Sequence, residues 1–139
     1  MTQSEPDLMA LIQGLPAALI NVAHDEHYTL RFANKQAAEL LGYSIADFLE
    51  NSRYKAASVV HPHDLDLLEV ADGIHAKGPR TLLVRYRLIA ADGSEVPVLD
   101  VSRPQFDERG ELQSFITLLV DLRDAPDLQG PSKILSRVE

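Results

Sequence analysis

Residues 81–106, TLLVRYRLIAADGSEVPVLDVSRPQF, set the architecture. Val84, Tyr86 and Leu88 alternate with Arg85 and Arg87, a period of two that places apolar side chains on one face of an extended strand. Asp92-Gly93 supplies the residue pair that a tight hairpin favours. Val96, Val98 and Asp100 then return along one face of a second strand. A further turn at DERG, 107–110, leads into LQSFITLLVDL, 112–122. Both faces of this third segment are apolar: Phe115, Thr117 and Leu119 share one, and Ile116, Leu118 and Val120 share the other. The pattern predicts a central strand covered on both sides.

On the amino-terminal side of the hairpins, Leu67, Val70, Ala71 and Ile74 recur at i, i+3, i+4 and i+7, which predicts a helix. VHPHDL, 60–65, opens it, with His61 as cap, Pro62 in the first helical position and Asp64 in the third. There a carboxylate would face free backbone N–H groups and the positive end of the helix dipole. His61 and His63 are two positions apart, not the four with which helical histidines share a metal, so the pair is read as part of a helix start.

Residues 51–61 show no clean period and read as a loop with about one helical turn. Ser44 and Asp47 have the spacing of a capping box before IADFLEN, whose apolar residues are Ile45, Phe48 and Leu49. Asn34 is the expected N-cap of KQAAELLGY, which ends at Gly42. Two strands, AALINVA and the alternating run around Leu30, precede it, joined by a turn that lacks glycine. PDLMALIQG, 6–14, predicts a short helix bearing Leu8, Met9, Leu11 and Ile12. This helix is the available cover for the outer sheet face, from the same chain or a second copy, which makes those four residues the candidate dimer interface. DAPDLQGPSK, 124–133, reads as linker, and the final ILSRVE as the first turn of a further element.

The chain has 139 residues, 45% of them apolar, enough for one domain with one core. With 13 basic and 21 acidic residues it carries a formal charge of −8, which repels nucleic-acid phosphates and anionic membrane surfaces. It has no cysteine, so disulfides, thiolate nucleophiles and thiolate zinc sites are excluded. No run approaches the ~20 apolar residues of a membrane span, and MTQSEPDLMA lacks the basic flank of a secretory signal, so a cytoplasmic location is expected. There is no G-x-S-x-G, H-E-x-x-H or phosphate loop. His24, Asp25, Glu26 and His27 cluster at a turn, where such groups are usually solvated. Catalysis would require His61, His63 or Asp100 to converge in one cleft, and no enzyme is expected.

The order of elements is that of an α+β domain with one antiparallel sheet backed by helices. Four segments narrow this: FANKQAAELLGYSIADF (32–48), VVHPHDLDLL (59–68), VRYRLIAADGSEVPV (84–98) and FDERGELQSFITLLVDLRD (106–124). Together they resemble a PAS domain of the type with an HPxD helix start and a YR…DG hairpin ending in Asp-Leu, over about residues 10–124. The resemblance implies a five-stranded antiparallel sheet in the order 2-1-5-4-3, flanked by short helices with an N-terminal cap helix. It divides the chain into a cap helix (1–14), a sensor domain (15–124) and a linker (125–139) toward a missing output domain. It also implies a non-catalytic sensory module of a bacterial signalling protein, a homodimer, linked in cis to a histidine kinase, diguanylate cyclase or similar effector. The alternative is a cofactor-free PAS domain serving homodimerisation or protein docking. Family members often continue from the terminal dipeptide into a coiled coil, which APDLQGP interrupts here.

The resemblance also bears on cofactors. Positions where flavin-binding members carry amide side chains fall on Leu88, Val98 and Leu119, none of which hydrogen-bonds, and the cysteine adduct is excluded, which leaves open a flavin held only for redox sensing or no cofactor at all. Haem-binding members take an axial histidine from the helix after Pro62, for which His75 is the candidate. The competing reading of His75 is a half-exposed residue near a helix C-terminus, where positive charge is favoured. By alternation Asp100 points either into the cavity or, if the strand bends near Pro97 or Pro104, into solvent. Leu88, Val98, Asp100, Phe115, Thr117 and Leu119 are the expected lining of a small ligand pocket, with Tyr54 closing it.

Overall fold

The computed structural model describes residues 5–26, 28–44, 46–47 and 56–138. In chain order these form α1 (Leu8–Gln13), β1 (Ala18–Ala23), β2 (Leu30–Ala33), α2 (Lys35–Leu41) and α3 (Leu65–His75). The strands β3 (Thr81–Ile89), β4 (Glu95–Phe106), β5 (Leu112–Asp121) and β6 (Lys133–Val138) follow. Single 3-10 turns at Ala56–Val59 and Pro62–Asp64 lead into α3. The strands make one antiparallel sheet in the order β2-β1-β5-β4-β3-β6. The expected α+β arrangement and the order 2-1-5-4-3 are present, and the hairpin turns fall at Gly93 and Gly110, both with positive φ. The turn between β1 and β2 has no glycine, and there Tyr28 adopts φ 52°.

The carboxy-terminal segment departs from expectation. Instead of a linker ending in a helical turn, residues 126–138 double back and lay β6 along β3, from Thr81↔Val138 to Arg85↔Lys133. Arg85 fastens the return: its Nε donates to the Pro131 carbonyl at 2.9 Å and its Nη1 to that of Leu128 at 3.2 Å. Gly130 leaves room for the guanidinium, since a Cβ there would stand 2.9 Å from Nη2. Pro126, Gly130 and Pro131 therefore mark a reversal of direction. A proline- and glycine-rich composition does not distinguish a reversal from a tether.

The inner face of the sheet carries the core, with Leu82, Val96 and Val98 fully buried. The outer face is less covered than its apolar residues predict: Ile116 and Val120 are 41% and 37% exposed, and α1 leaves them open. Leu8, Met9 and Leu11 of α1 are exposed and Ile12 is half-buried. The buried stripe of α3 is also rotated from the expected one. Ala71 and His75 are buried and Val70 faces solvent. The capping box survives in part, Asp47 N donating to Ser44 Oγ at 3.1 Å, while Ile45, Phe48 and Leu49 lie outside the described residues.

Asn34 locks the amino-terminal elements together. It caps α2 as its sequence position implies, Oδ1 accepting from Ala37 N at 3.2 Å and from Leu19 N at 2.9 Å. Its Nδ2 donates to the carbonyls of Ile12 and Ala17, both at 3.1 Å. One fully buried amide thus joins the end of α1, the start of β1 and the start of α2. Replacing Asn34 by Ala leaves two backbone donors and two acceptors without this partner. The expected loss is about 4 kcal/mol, read from urea denaturation, since a cap contributes ~1 kcal/mol and each of the three further buried bonds about as much.

Candidate functional site

Between the inner sheet face and the helices lies a cavity of about 330 Å³. Its origin is the small side chains brought to the sheet: Ala33 at the end of β2, Ala37 on α2 and Ala71 on α3 all line it. Leu41 of α2 and Leu65 and Leu68 of α3 also line it, but at the alanine positions a methyl group leaves space that a larger side chain would fill. The volume lies near the lower end of the ~300–1,000 Å³ range of small-molecule pockets. Of the expected lining, Leu88, Asp100, Phe115, Thr117 and Leu119 are present. Val98 is wholly buried in the core but is not part of the cavity wall. Tyr54 lies outside the described residues.

A polar seam crosses the otherwise apolar floor. Strand register places Ser102 opposite Thr117 and Asp100 opposite Leu119 and Val84. Tyr86 Oη donates to Asp100 Oδ2 at 2.6 Å, Ser102 Oγ donates to Asp100 Oδ1, and the Ser102 and Thr117 hydroxyls are 2.7 Å apart. Because the Ser102 hydrogen goes to the carboxylate, Thr117 is the donor in the last pair. Asp100 is 8% exposed, which selects the cavity-facing alternative. Burial pushes its carboxyl up to about 6, against the opposing pull of the Ser102 and Tyr86 hydroxyls. Burial and the adjacent Asp100 push the Tyr86 phenol far above its ordinary value.

His75 is 4% exposed, not half-exposed, and lines the cavity with its ring 5.3 Å from that of Phe115. Its Nε2 lies 3.3 Å from the Ser102 carbonyl. A carbonyl only accepts, so Nε2 carries the proton. Burial lowers the pKa of the ring and keeps it neutral near pH 7. Ser102, His75 and Asp100 meet without the bonds of a nucleophilic triad, because the imidazole touches the serine carbonyl and not its hydroxyl.

Sequence reasoning did not single out the opposite wall. Tyr28 Oη donates to Asp72 Oδ2 at 3.1 Å, and His24 Nδ1 stands 3.4 Å from Asp72 Oδ1. Tyr28 and Asp72 line the cavity. Burial and the Asp72 carboxylate push the Tyr28 phenol above its ordinary value. Asp72 lies one residue from the stripe used to predict α3, and Ser102 shares the alternation of Asp100. The signals were present as periodicities but not as chemistry.

His61 of VHPHDL is engaged at the helix start. His61 Nδ1 accepts from His63 N at 3.1 Å, the capping contact expected of it, and His61 Nε2 meets Glu95 Oε1 at 3.1 Å. Among the described residues no group of three or more potential ligands could hold a metal ion. Asp64 corrects its expected role. Its carboxylate makes no cap bond to α3 but turns into the protein to meet Arg87 and Ser132.

The PAS fold family matches residues 30–119, well over half of the chain. The chain belongs to the PAS family. Among solved structures, this PAS domain is similar to an RNA-binding Light-Oxygen-Voltage receptor (TM-score 0.68, 19% identity, 86% of this chain and 33% of that one). It is similar to a PAS domain from a two-component sensor histidine kinase (TM-score 0.65, 14% identity, 82% and 92%). It also resembles the N-terminal domain of a diguanylate cyclase with PAS/PAC sensor from Marinobacter aquaeolei (TM-score 0.61, 20% identity, 76% and 94%). The chain thus spans a third of the Light-Oxygen-Voltage receptor. No curated protein matches it. No helix among the described residues is long and apolar enough to cross a membrane.

Two of the three positions compared with flavin-binding members lie in the cavity wall. Leu88 and Leu119 give the wall no hydrogen-bonding group where amides would be needed, and Val98 is not part of the wall. A haem iron would find His75 Nε2 already donating to Ser102.

Asp100 gives the domain a distinctive pH response. An unfolded Asp titrates near ~3.9. Between there and about 6 the folded chain retains a proton that the unfolded chain has released, so the stability contribution of this group falls as pH rises through that window. Relative to Asp100→Asn, the wild type should lose on the order of 3 kcal/mol between about pH 4 and pH 7. Urea denaturation of both proteins across that range checks it, and a pH-independent difference would contradict the buried assignment.

Proposed function

We propose that this PAS domain is a non-catalytic cytoplasmic sensor that holds a small molecule in its cavity and relays occupancy to a covalently linked effector. A bacterial histidine kinase or diguanylate cyclase fits best, by analogy with the solved relatives. The observation that carries the reading is the cavity, which lies between α3 and the sheet with a polar seam in its floor. A route outward accompanies it. Asp64, at the start of α3, is bound both to Arg87 on β3 and to Ser132 ahead of β6. A ligand that shifts α3 against β3 therefore acts on the contact that holds the carboxy-terminal segment.

Homodimerisation or docking is the second reading, and the exposed Leu8, Met9 and Leu11 of α1 favour it, together with the open Ile116 and Val120. Light scattering separates the two. If the domain dimerises through α1, Leu8→Asp with Leu11→Asp should weaken self-association by at least about tenfold, as expected when charges enter an apolar interface.

Native mass spectrometry of gently purified protein tests the sensor reading, with a retained small molecule as the expected result. Ala71→Leu adds bulk to the wall of the cavity. It should fold with stability equal to or above wild type and lose the retained molecule. In a cavity-free core the same change would be overpacking and would cost about 1–3 kcal/mol.

A further inference from the structure

We propose that the cavity selects small apolar molecules bearing a protonated amine, with the ammonium held by Asp100. This rests on the sensor reading above and adds the chemical class of the ligand. The side-chain hydrogens of the described wall are already engaged. Tyr28 donates to Asp72, Tyr86 and Ser102 donate to Asp100, Thr117 donates to Ser102, and His75 donates to the Ser102 carbonyl. Each hydroxyl has one hydrogen to give, so these groups offer an incoming molecule only lone pairs. Asp72 Oδ1, 3.4 Å from His24 Nδ1, adds a buried acceptor that no hydrogen bond satisfies. Such a wall wants donors, and an ammonium brings three.

Charge points the same way. Among the described residues, Glu26, Glu69, Asp72 and Asp100 line the cavity and no Lys or Arg does. Asp100 is buried with only neutral hydroxyls as partners. A buried carboxylate lacking a cation is costly, and a ligand cation removes that cost. Ligands carrying phosphate or carboxylate meet like charge and no free side-chain donor. The rest of the wall is apolar, and the faces of Tyr28, Tyr86 and Phe115 suit an aromatic body or the flank of a cation.

Three probes of matched shape test this on the full chain by titration calorimetry: 2-phenylethylamine, ethylbenzene and 3-phenylpropionate. The amine should bind at least about tenfold more tightly than ethylbenzene, the difference one charge-assisted hydrogen bond makes, and the carboxylate more weakly than either. Asp100→Asn should remove the advantage of the amine over ethylbenzene. The ranking on the wild type decides the matter even if that variant does not fold. Equal binding of amine and carboxylate, or an advantage that survives in Asp100→Asn, overturns the amine assignment and leaves the sensor reading standing. If none of the three probes binds, the amine assignment falls, and the sensor reading is decided by whether native mass spectrometry finds a retained molecule.

Discussion

A space between a sheet and its helices persists only if something holds the layers at a fixed separation, because apolar walls otherwise close. In this domain the Asp64 carboxylate supplies that constraint. It is buried and accepts from Arg87 N at 2.9 Å, Arg87 Nε at 3.1 Å, Arg87 Nη2 at 3.0 Å and Ser132 Oγ at 3.0 Å. Hydrogen bonds have narrow distance preferences, whereas hydrophobic contact has none, so this set fixes where α3 begins relative to β3. The alanines of the wall then stand off from the sheet.

Asp64 and Asp100 are two buried residues of one type whose pKa values are shifted in opposite directions. Burial alone would raise the pKa of Asp64, but the bonds from Arg87 and Ser132 outweigh it and hold the carboxyl below its usual range. Asp100 has hydroxyl partners and no guanidinium, and burial prevails. The first is a satisfied structural anion. The second is an acid whose charge has no counterpart within the described wall, which is why the chemistry of the cavity centres on it.

Local periodicity made β1 to β5, both hairpins and the Asn34 cap readable from sequence, because each depends on residues close together in the chain, whereas β6 was not readable. Alternation with Val96 and Val98 left Asp100 either inward or in solvent, and only its burial in the folded chain selects the first. What escaped depends on distant partners. Asp64 looks like a helix cap until Arg87 is placed beside it, and its carboxylate then has a stronger bond to make than any offered by the backbone of α3. His75 resembles a surface residue by type, yet it stands four positions after Ala71 and the carbonyl of Ser102 accepts its proton. Tyr28 takes the positive φ that a glycine would ordinarily supply, and this brings a phenol to the cavity wall.

The return of the chain along β3 also has a bearing on colloidal behaviour. An unpaired border strand is a template on which another molecule can add its own strand, the first step toward fibrillar aggregates. Here β6 satisfies the outward backbone groups of β3 as far as Arg85, and an isolated bridge between Val60 and Leu88 covers the stretch beyond. The border of the sheet therefore passes from the nine residues of β3 to the six of β6, and the edge open to lateral growth is shorter.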